Sequence, residues 1–273
     1  MYRHHIIDWS DAYSNGDHIP KGERWPEAWV KPAADFRAQL GDRAILDQSY
    51  GPDARHAFDL FVPEGEQKGL VVFIHGGYWM RLDKSYWSHL AAGALAHGFA
   101  VAMPSYRLAP SVRITDIAQD VAAAIASAAA RVDGPIHLTG HSAGGHLVSR
   151  MIASGSPLSA EILARIGNVV SISGLHDLRP LMKTGMNATL RIDQAEALAQ
   201  SPALLEPIAG ATLTCWVGGA ERAEFRRQNA LLANIWLGLG ATTLAVEEPD
   251  RHHFNVIDGL ADPDSGLIEA LLG

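Results

Sequence analysis

The chain alternates short apolar runs with longer amphipathic stretches from about residue 44 onward. The run Leu70–Ile74 is apolar at every position, which is typical of a strand buried on both faces of a sheet. Clusters of Gly, Pro and Asp that favour turns separate several of these runs. We therefore predict strands at Ile45–Ser49, Ala57–Val62, Leu70–Ile74, Phe99–Met103, Ile136–Thr139, Val169–Ser173, Leu213–Val217 and Thr242–Val246.

The stretches between these strands have the spacing of apolar residues that is typical of helices. We predict helices at about Tyr86–His97, Ile114–Arg131, after Ser142, at Arg222–Leu239, and at Phe254–Leu272 with a break at Asp262-Pro263. A short helix near Pro32–Leu40 would hold Pro32 in its first turn. Strands that alternate with helices indicate right-handed crossovers and a mostly parallel sheet with helices on both faces. Ligands bind beyond the carboxyl ends of the strands in such sheets.

The N-terminal stretch differs in composition from the rest of the chain. Residues 1–40 are polar and rich in Trp and Pro. No later stretch has the Gly/Ser-rich, Pro-rich or like-charged composition of a linker, and no internal repeat is present. We therefore expect a single domain, 1–273, in which residues 1–43 form a segment that packs on or near the functional site.

Composition excludes several classes of protein. Hydrophobic residues make up 48% of the chain and charged residues 19%, which supports a large core and argues against disorder. The net charge of −8 argues against a nucleic-acid partner. No apolar run approaches the roughly 18 residues of a membrane span, and Met1–Asp8 lacks the apolar core of a signal peptide. We expect a cytoplasmic protein without a membrane partner. The sequence leaves open whether the protein forms a homodimer. The single cysteine, Cys215, excludes an intramolecular disulfide.

A candidate nucleophile lies between a predicted strand and a predicted helix. Gly140-His141-Ser142-Ala143-Gly144 matches Gly-x-Ser-x-Gly and directly follows the strand Ile136–Thr139. In the α/β-hydrolase fold, this motif forms a sharp strand-to-helix turn that exposes the serine hydroxyl. The flanking glycines remove side chains that would clash across the turn. The sequence therefore predicts an α/β-hydrolase in which Ser142 attacks an ester or amide carbonyl.

A second motif supplies candidate donors for the oxyanion that such an attack creates. The sequence His-Gly-Gly-Tyr-Trp directly follows the buried third strand. In this fold, one backbone N–H comes from that loop and another from the residue after the nucleophile. We assign these donors to Gly77, with Gly76 as an alternative, and to Ala143. Tyr78 and Trp79 either belong to the core or line the substrate pocket.

The order of the triad in this fold is serine, acid, histidine. The histidine must follow the last strand, where His252 and His253 both qualify by position. Glu221 is the first acid after the preceding strand. Glu224 lies about one turn later and can also be a solvated residue of the first helical turn. Asp177, one strand earlier, is a further rival that can also serve as a cap or turn residue.

Five stretches together resemble the serine-hydrolase type of kynurenine formamidase (arylformamidase). They are His75-Gly-Gly-Tyr-Trp79, Gly140-His-Ser-Ala-Gly-Gly145, Ser173-Gly-Leu-His-Asp-Leu-Arg-Pro180, Glu224-Phe-Arg-Arg-Gln228 and His253-Phe254. The resemblance runs from about residue 11 nearly to the end of the chain. It places the catalytic histidine at His253 and the acid at Glu221, where the family usually carries Asp. Triads with Glu in place of Asp occur on this fold.

The resemblance implies hydrolysis of a small-molecule acyl amide, N-formyl-L-kynurenine, through an acyl-enzyme on Ser142. We expect no cofactor, because the chain has neither a His-Glu-x-x-His motif nor a dinucleotide-binding glycine motif after a strand. A carboxylesterase of broad short-chain acyl ester specificity is the alternative activity. A non-catalytic binding protein built on this fold is an alternative from another class of function. Such proteins usually lack the catalytic serine or histidine, whereas this chain has both. The aromatic residues Tyr13, Trp25 and Trp29 either form a lid over an aromatic substrate or anchor the N-terminal segment.

Overall fold

The computed structural model describes residues 5–273, so residues 1–4 of the N-terminal segment lie outside the description. All the predicted strands are present, with ends that shift by a few residues. They are β1 (Ala44–Ser49), β2 (Ala57–Phe61), β3 (Gly69–Ile74), β4 (Phe99–Pro104), β5 (Ile136–His141), β6 (Ile166–Ile172), β7 (Thr212–Gly218) and β8 (Thr242–Glu248). They form one 8-stranded sheet in the order β1-β2-β4-β3-β5-β6-β7-β8. The pairs β1–β2 and β2–β4 are antiparallel and all the others are parallel.

The helices are mostly those that the periodicity predicts. They are α1 (Trp9–Tyr13), α2 (Trp25–Leu40), α3 (Ala92–Ala96), α4 (Ile114–Ala129), α5 (Ala143–Met151), α6 (Ala160–Leu163), α7 (Asn187–Leu190), α8 (Gln194–Gln200), α9 (Ala223–Gly238) and α10 (Gly266–Leu272). None of the helices within residues 5–273 is long and apolar enough to cross a membrane.

Alternation along the strands divides the interior into two cores. In β3, Leu70, Val72 and Ile74 point into one core, which α4, α5 and α9 cover. Val71 and Phe73 point into the other, which α2, α3 and α10 cover. Successive side chains of a strand point to opposite faces, so a strand that is apolar throughout needs helices on both sides. The expected mostly parallel sheet with helices on both faces is confirmed.

Three predicted helices differ from the structure. Of the predicted helix 254–272, only α10 is α-helical, and a 3-10 segment at Asp258–Ala261 precedes it. Helix α2 begins at Trp25, so Pro26 lies in the first turn and Pro32 lies inside the helix. A proline inside a helix removes one hydrogen bond; burial of Trp29, Ala33 and Leu40 on one face offsets that loss. The predicted helix 86–97 is instead two short 3-10 segments followed by α3.

The register of the sheet brings the candidate motifs to one edge. Ile74 of β3 pairs with Gly140 of β5, so the loop after β3 lies beside the turn that holds Ser142. Gly218 at the end of β7 pairs with Glu248 at the end of β8, so the loops after these two strands also lie together. The carboxyl ends of parallel strands share an edge, and the candidate residues converge there from four different loops.

Candidate active site

Ser142 sits in a strained turn between β5 and α5. Its backbone angles are φ 56° and ψ −114°, a region that non-glycine residues rarely adopt. The turn requires its flanking glycines, because a Cβ on Gly144 would lie 1.9 Å from the Ile74 carbonyl oxygen and one on Gly140 would lie 2.4 Å from the Gly144 carbonyl oxygen. A strained serine at a strand-to-helix turn is the arrangement that the sequence motif predicts.

The loop after β3 packs its backbone against Ser142. A Cβ on Gly76 would lie 3.1 Å from Ser142 Cβ. Gly77 has φ +112°, and its carbonyl oxygen accepts hydrogen bonds from the backbone N–H groups of Met80 and Arg81. Ala143 is the first residue of α5 and is fully buried. The loop after β3 and the first residue of α5 therefore both lie next to Ser142.

His253 and Glu221 form a buried pair. The distance from His253 Nδ1 to Glu221 Oε2 is 2.6 Å. The other oxygen, Glu221 Oε1, accepts hydrogen bonds from Ser173 Oγ at 2.5 Å and from the Gly218 backbone N–H at 2.9 Å. A carboxylate held by three donors is rigid, and it keeps the histidine in one orientation with Nε2 free to accept a proton.

Two residues of this arrangement were not singled out as site residues in the sequence. Ser173 follows β6 at the carboxyl edge of the sheet, a position that could have identified it. His141 Nε2 lies 2.8 Å from the His253 carbonyl oxygen, and since a carbonyl only accepts, Nε2 carries the proton. Burial, together with the nearby His253, lowers the pKa of His141 well below its usual value, so His141 is neutral and supports the His253 backbone.

The rival residues lie elsewhere. His252 packs against the Trp25 ring at 5.1 Å and does not line the cavity at Ser142. Asp177 forms a two-pronged ion pair with Arg179, at 2.9 and 2.8 Å. Among the residues that the structure describes, Glu221 is the carboxylate that meets His253.

Glu224 is not the solvated residue that one interpretation of the sequence made it. Its side chain is buried. The carboxylate accepts hydrogen bonds from Tyr13 Oη at 2.8 Å and Gln228 Nε2 at 3.0 Å, and it pairs with Arg227 at 2.7 Å. The desolvated Tyr13 beside this carboxylate has its pKa raised above the usual value. Glu224 therefore ties the N-terminal segment to α9.

A small cavity of about 60 Å³ lies at Ser142. Its walls are Pro26, Trp29, Gly76, Gly77, Tyr78, Arg81, Leu82, Trp87, His141, Ser142, His253 and Phe254. Trp79 was a candidate for this wall, and the structure does not bring it there. Its ring is fully buried in the core and packs edge-on against His146 at 5.2 Å.

A larger cavity of about 970 Å³ lies outside the small one. The two share Pro26, Tyr78, Arg81 and Phe254 as walls, so we call the larger one the vestibule. Residues 10–26 of the N-terminal segment form much of its lining.

Contacts with the core hold that segment in place. Tyr78 Oη donates a hydrogen bond to the Tyr13 carbonyl at 2.5 Å and accepts one from Asn15 at 3.2 Å. Trp29 packs on Trp87 at 4.5 Å and on Phe254 at 5.5 Å. Of the three N-terminal aromatic residues, Trp29 lines the small cavity, Tyr13 lines the vestibule, and Trp25 packs outside against Phe254.

No group of three or more His, Cys, Asp or Glu side chains within residues 5–273 is arranged to hold a metal ion.

Several known proteins are similar to this chain. The family model BD-FAE matches residues 58–207. A kynurenine formamidase from Salmo salar is 28% identical over 86% of this chain and 83% of its own length. A crystal structure from Silicibacter sp. TM1040, provisionally named a thioesterase, is 50% identical, with a TM-score of 0.93 over 98% of this chain and 100% of that one.

A more distant structure establishes the fold. A carboxylesterase cloned from a metagenomic library superposes with a TM-score of 0.67 over 92% of this chain and 98% of its own, at 17% identity. The α/β-hydrolase fold and the resemblance to kynurenine formamidases are both confirmed, and the chain is a hydrolase.

Proposed function

Since the chain belongs to the BD-FAE family of α/β-hydrolases, we propose that it removes a formyl group from an aryl amide such as N-formyl-L-kynurenine. The observation that carries this proposal is the difference in size between the two cavities. The space at Ser142 is about 60 Å³, whereas the vestibule beside it is about 970 Å³. The smaller space favours a short acyl group on the Ser142 side, and the larger one suits the leaving group.

The vestibule supports a large leaving group. Its volume of about 970 Å³ lies at the upper end of the range of ligand pockets, roughly 300–1,000 Å³. Tyr13, Tyr78 and Phe254 line it, so an aromatic amine finds apolar surface there. A small acyl side joined to a large leaving side is the shape of an aryl formamide. The name of the relative from Salmo salar agrees with this assignment.

The proposed acylation begins at the Ser142 hydroxyl. Its oxygen attacks the formyl carbon while His253 Nε2 takes its proton, and Glu221 stabilises the resulting imidazolium through Nδ1. The oxyanion accepts hydrogen bonds from backbone N–H groups of Gly77 or Gly76 and of Ala143; one such donor is typically worth about 3–4 kcal/mol. The carbon–nitrogen bond then breaks, and His253 returns the proton to the leaving aniline nitrogen.

Deacylation repeats these steps with water in place of serine. A water molecule enters where the amine has left, and His253 takes one of its protons as the oxygen attacks the formyl-enzyme. The second tetrahedral intermediate collapses, the Ser142 oxygen regains its proton from His253, and formate leaves. No cofactor takes part in this sequence.

The test measures how the rate depends on acyl size. The kcat/KM is compared for formyl, acetyl and butyryl derivatives of one aryl amine, and for the matching phenyl esters. We expect formyl to exceed butyryl by more than about tenfold, since one methylene changes such ratios about 10–200-fold. Trp29→Ala, which enlarges the cavity, should lower the ratio of kcat/KM for the formyl derivative to that for the butyryl derivative. Trp25→Ala should leave this ratio unchanged, because Trp25 lies outside the cavity.

Two results would contradict the proposal. One is failure to cleave the formyl amide together with ready cleavage of acetyl esters, which would assign the short-chain carboxylesterase activity instead. The other is a rate that increases with acyl length in the wild type, which would remove the argument from cavity size.

A further inference from the structure

The side chain of Arg81 lies where the two cavities of the site meet. It lines both the small cavity at Ser142 and the vestibule. Among the described residues, it is the only Arg, Lys, Asp or Glu in the wall of the small cavity. This places a positive charge beside the space that the leaving side of the substrate would occupy.

The guanidinium of Arg81 has no acidic partner. Its backbone N–H bonds the Gly77 carbonyl, and its guanidinium carbon lies 5.8 Å from the centre of the Tyr78 ring. Within residues 5–273, no carboxylate lies at ion-pair distance from it and its side chain donates no hydrogen bond. The nearby Arg55 differs, since it donates to the carbonyls of Tyr106 and Leu82 at 2.6 Å. Arg81 therefore keeps five N–H donors available to a ligand.

The vestibule also carries charges of both signs farther out. Lys21 lines it along with Arg81, and so do Asp17 and Glu23. A ligand with one acidic and one basic group can satisfy charges of both signs, whereas a neutral apolar ligand leaves them unused. The guanidinium fork matches a planar carboxylate, which it can bind through two parallel hydrogen bonds.

We propose that Arg81 binds a carboxylate on the leaving group, so that the preferred substrates are acyl derivatives of aryl amines or phenols that carry an amino-acid or other carboxylate group. This assignment rests on the proposed serine hydrolysis at Ser142. It makes Arg81 a residue that determines specificity through substrate binding and takes no part in the bond-breaking steps.

The test uses two pairs of substrates that differ only in charge. One pair is N-formyl-L-kynurenine and its carboxamide; the other is 4-acetoxybenzoate and 4-acetoxybenzamide. Arg81→Gln should raise KM for the carboxylate member of each cleaved pair by about three- to fivefold, since an ion pair near solvent has an effect of about that size. The KM for the carboxamide member should change less than about twofold, because its neutral group loses no ion pair.

Two further variants complete the design. Arg81→Lys keeps the charge and should restore most of the lost affinity. Arg191→Gln removes one positive charge from an exposed position that lines neither cavity, and it should leave all the KM values unchanged. Thermal unfolding of each variant shows that the proteins compared are folded.

The outcomes separate the two proposals. Equal KM changes for the charged and uncharged members, or no change for the charged ones, would overturn the role of Arg81. If the wild type cleaves the acetoxy pair but neither formyl amide, formamidase activity is rejected, and the acetoxy pair still decides whether Arg81 binds a carboxylate.

Discussion

Glu221→Gln is the substitution that most directly tests the proposed triad. The native carboxylate accepts three hydrogen bonds, from His253, Ser173 and the Gly218 backbone N–H. A glutamine of the same shape offers one oxygen and one amide nitrogen. If its oxygen keeps the bonds of Ser173 and Gly218, its NH₂ faces His253 Nδ1 and forces that nitrogen to become an acceptor. The proton then sits on Nε2, which can no longer take the proton of Ser142.

The opposite orientation of the amide is also unfavourable. It would point NH₂ at the Gly218 N–H, which now lies 2.9 Å from the carboxylate oxygen. Two donors at that distance repel, and an unsatisfied buried donor costs about 1–3 kcal/mol. The amide should therefore adopt the first orientation, which stabilises the wrong tautomer of His253.

The expected loss follows from the tautomer and the missing charge. The corresponding amide change in other serine hydrolases lowers kcat about 10⁴-fold. Because Glu221 is buried and held by three donors, we expect a loss of about 10³–10⁴, equivalent to about 4–5.5 kcal/mol in the activation barrier.

The assay measures kcat at saturating substrate for the wild type and two variants. Asp177→Asn is the matched control, since Asp177 is also a buried carboxylate in a hydrogen-bonded pair but contacts Arg179 instead of the histidine. It should stay within a few-fold of the wild type. If Glu221→Gln retains a tenth or more of wild-type kcat, or if Asp177→Asn is the more damaging change, the assignment of the acid is wrong.

Three further predictions follow from the same site. Ser142→Ala should leave a folded protein with kcat lower by about 10⁴-fold or more, because a triad acts as a unit; one tenth of wild-type activity would exclude Ser142 as the nucleophile. His253→Ala should lower kcat nearly as much, whereas His252→Ala should have little effect on it, and the reverse ranking in the same assay would move the base to His252. The last prediction concerns stability: burial lowers the pKa of His146 from 6.5 to about 3, so the unfolded chain takes up a proton below about pH 6.5 that the folded protein refuses, and stability falls as the pH drops toward 3. Urea unfolding at several pH values between 6 and 4 gives the free energy of unfolding as a function of pH. This free energy should depend on pH less steeply in His146→Gln than in the wild type, by about 1.4 kcal/mol per pH unit. An equal pH dependence in the two proteins would show that His146 does not titrate in this way.

The helices that sequence analysis missed show how far local pattern reaches. Helices α1 and α6 were not predicted, and neither were α7 and α8, which lie between β6 and β7. All of them are short, and short helices owe their stability to tertiary packing more than to the propensity of their own residues. Leu190 and Ala197 are buried against the core that α4 and α9 share, and this packing stabilises α7 and α8.

The sequence by itself determined the strands, the longer helices and the kind of chemistry. Apolar periodicity and turn residues are local properties, so β3 and α9 could be predicted within a few residues of their ends. The turn around Ser142 could be predicted as well, because only glycine tolerates the close backbone contacts that surround it.

Only the tertiary structure decided which side chains meet. Glu221, Glu224 and Asp177 all follow strands or begin a helix, and position along the chain does not separate them. The register of β7 against β8 turns Glu221 toward His253, while Glu224 faces Tyr13 and Asp177 faces Arg179. The partner of a buried carboxylate depends on side-chain directions set by packing between elements distant in sequence, and so do the walls of a cavity, which is why Trp79 belongs to the core and Arg81 to the site.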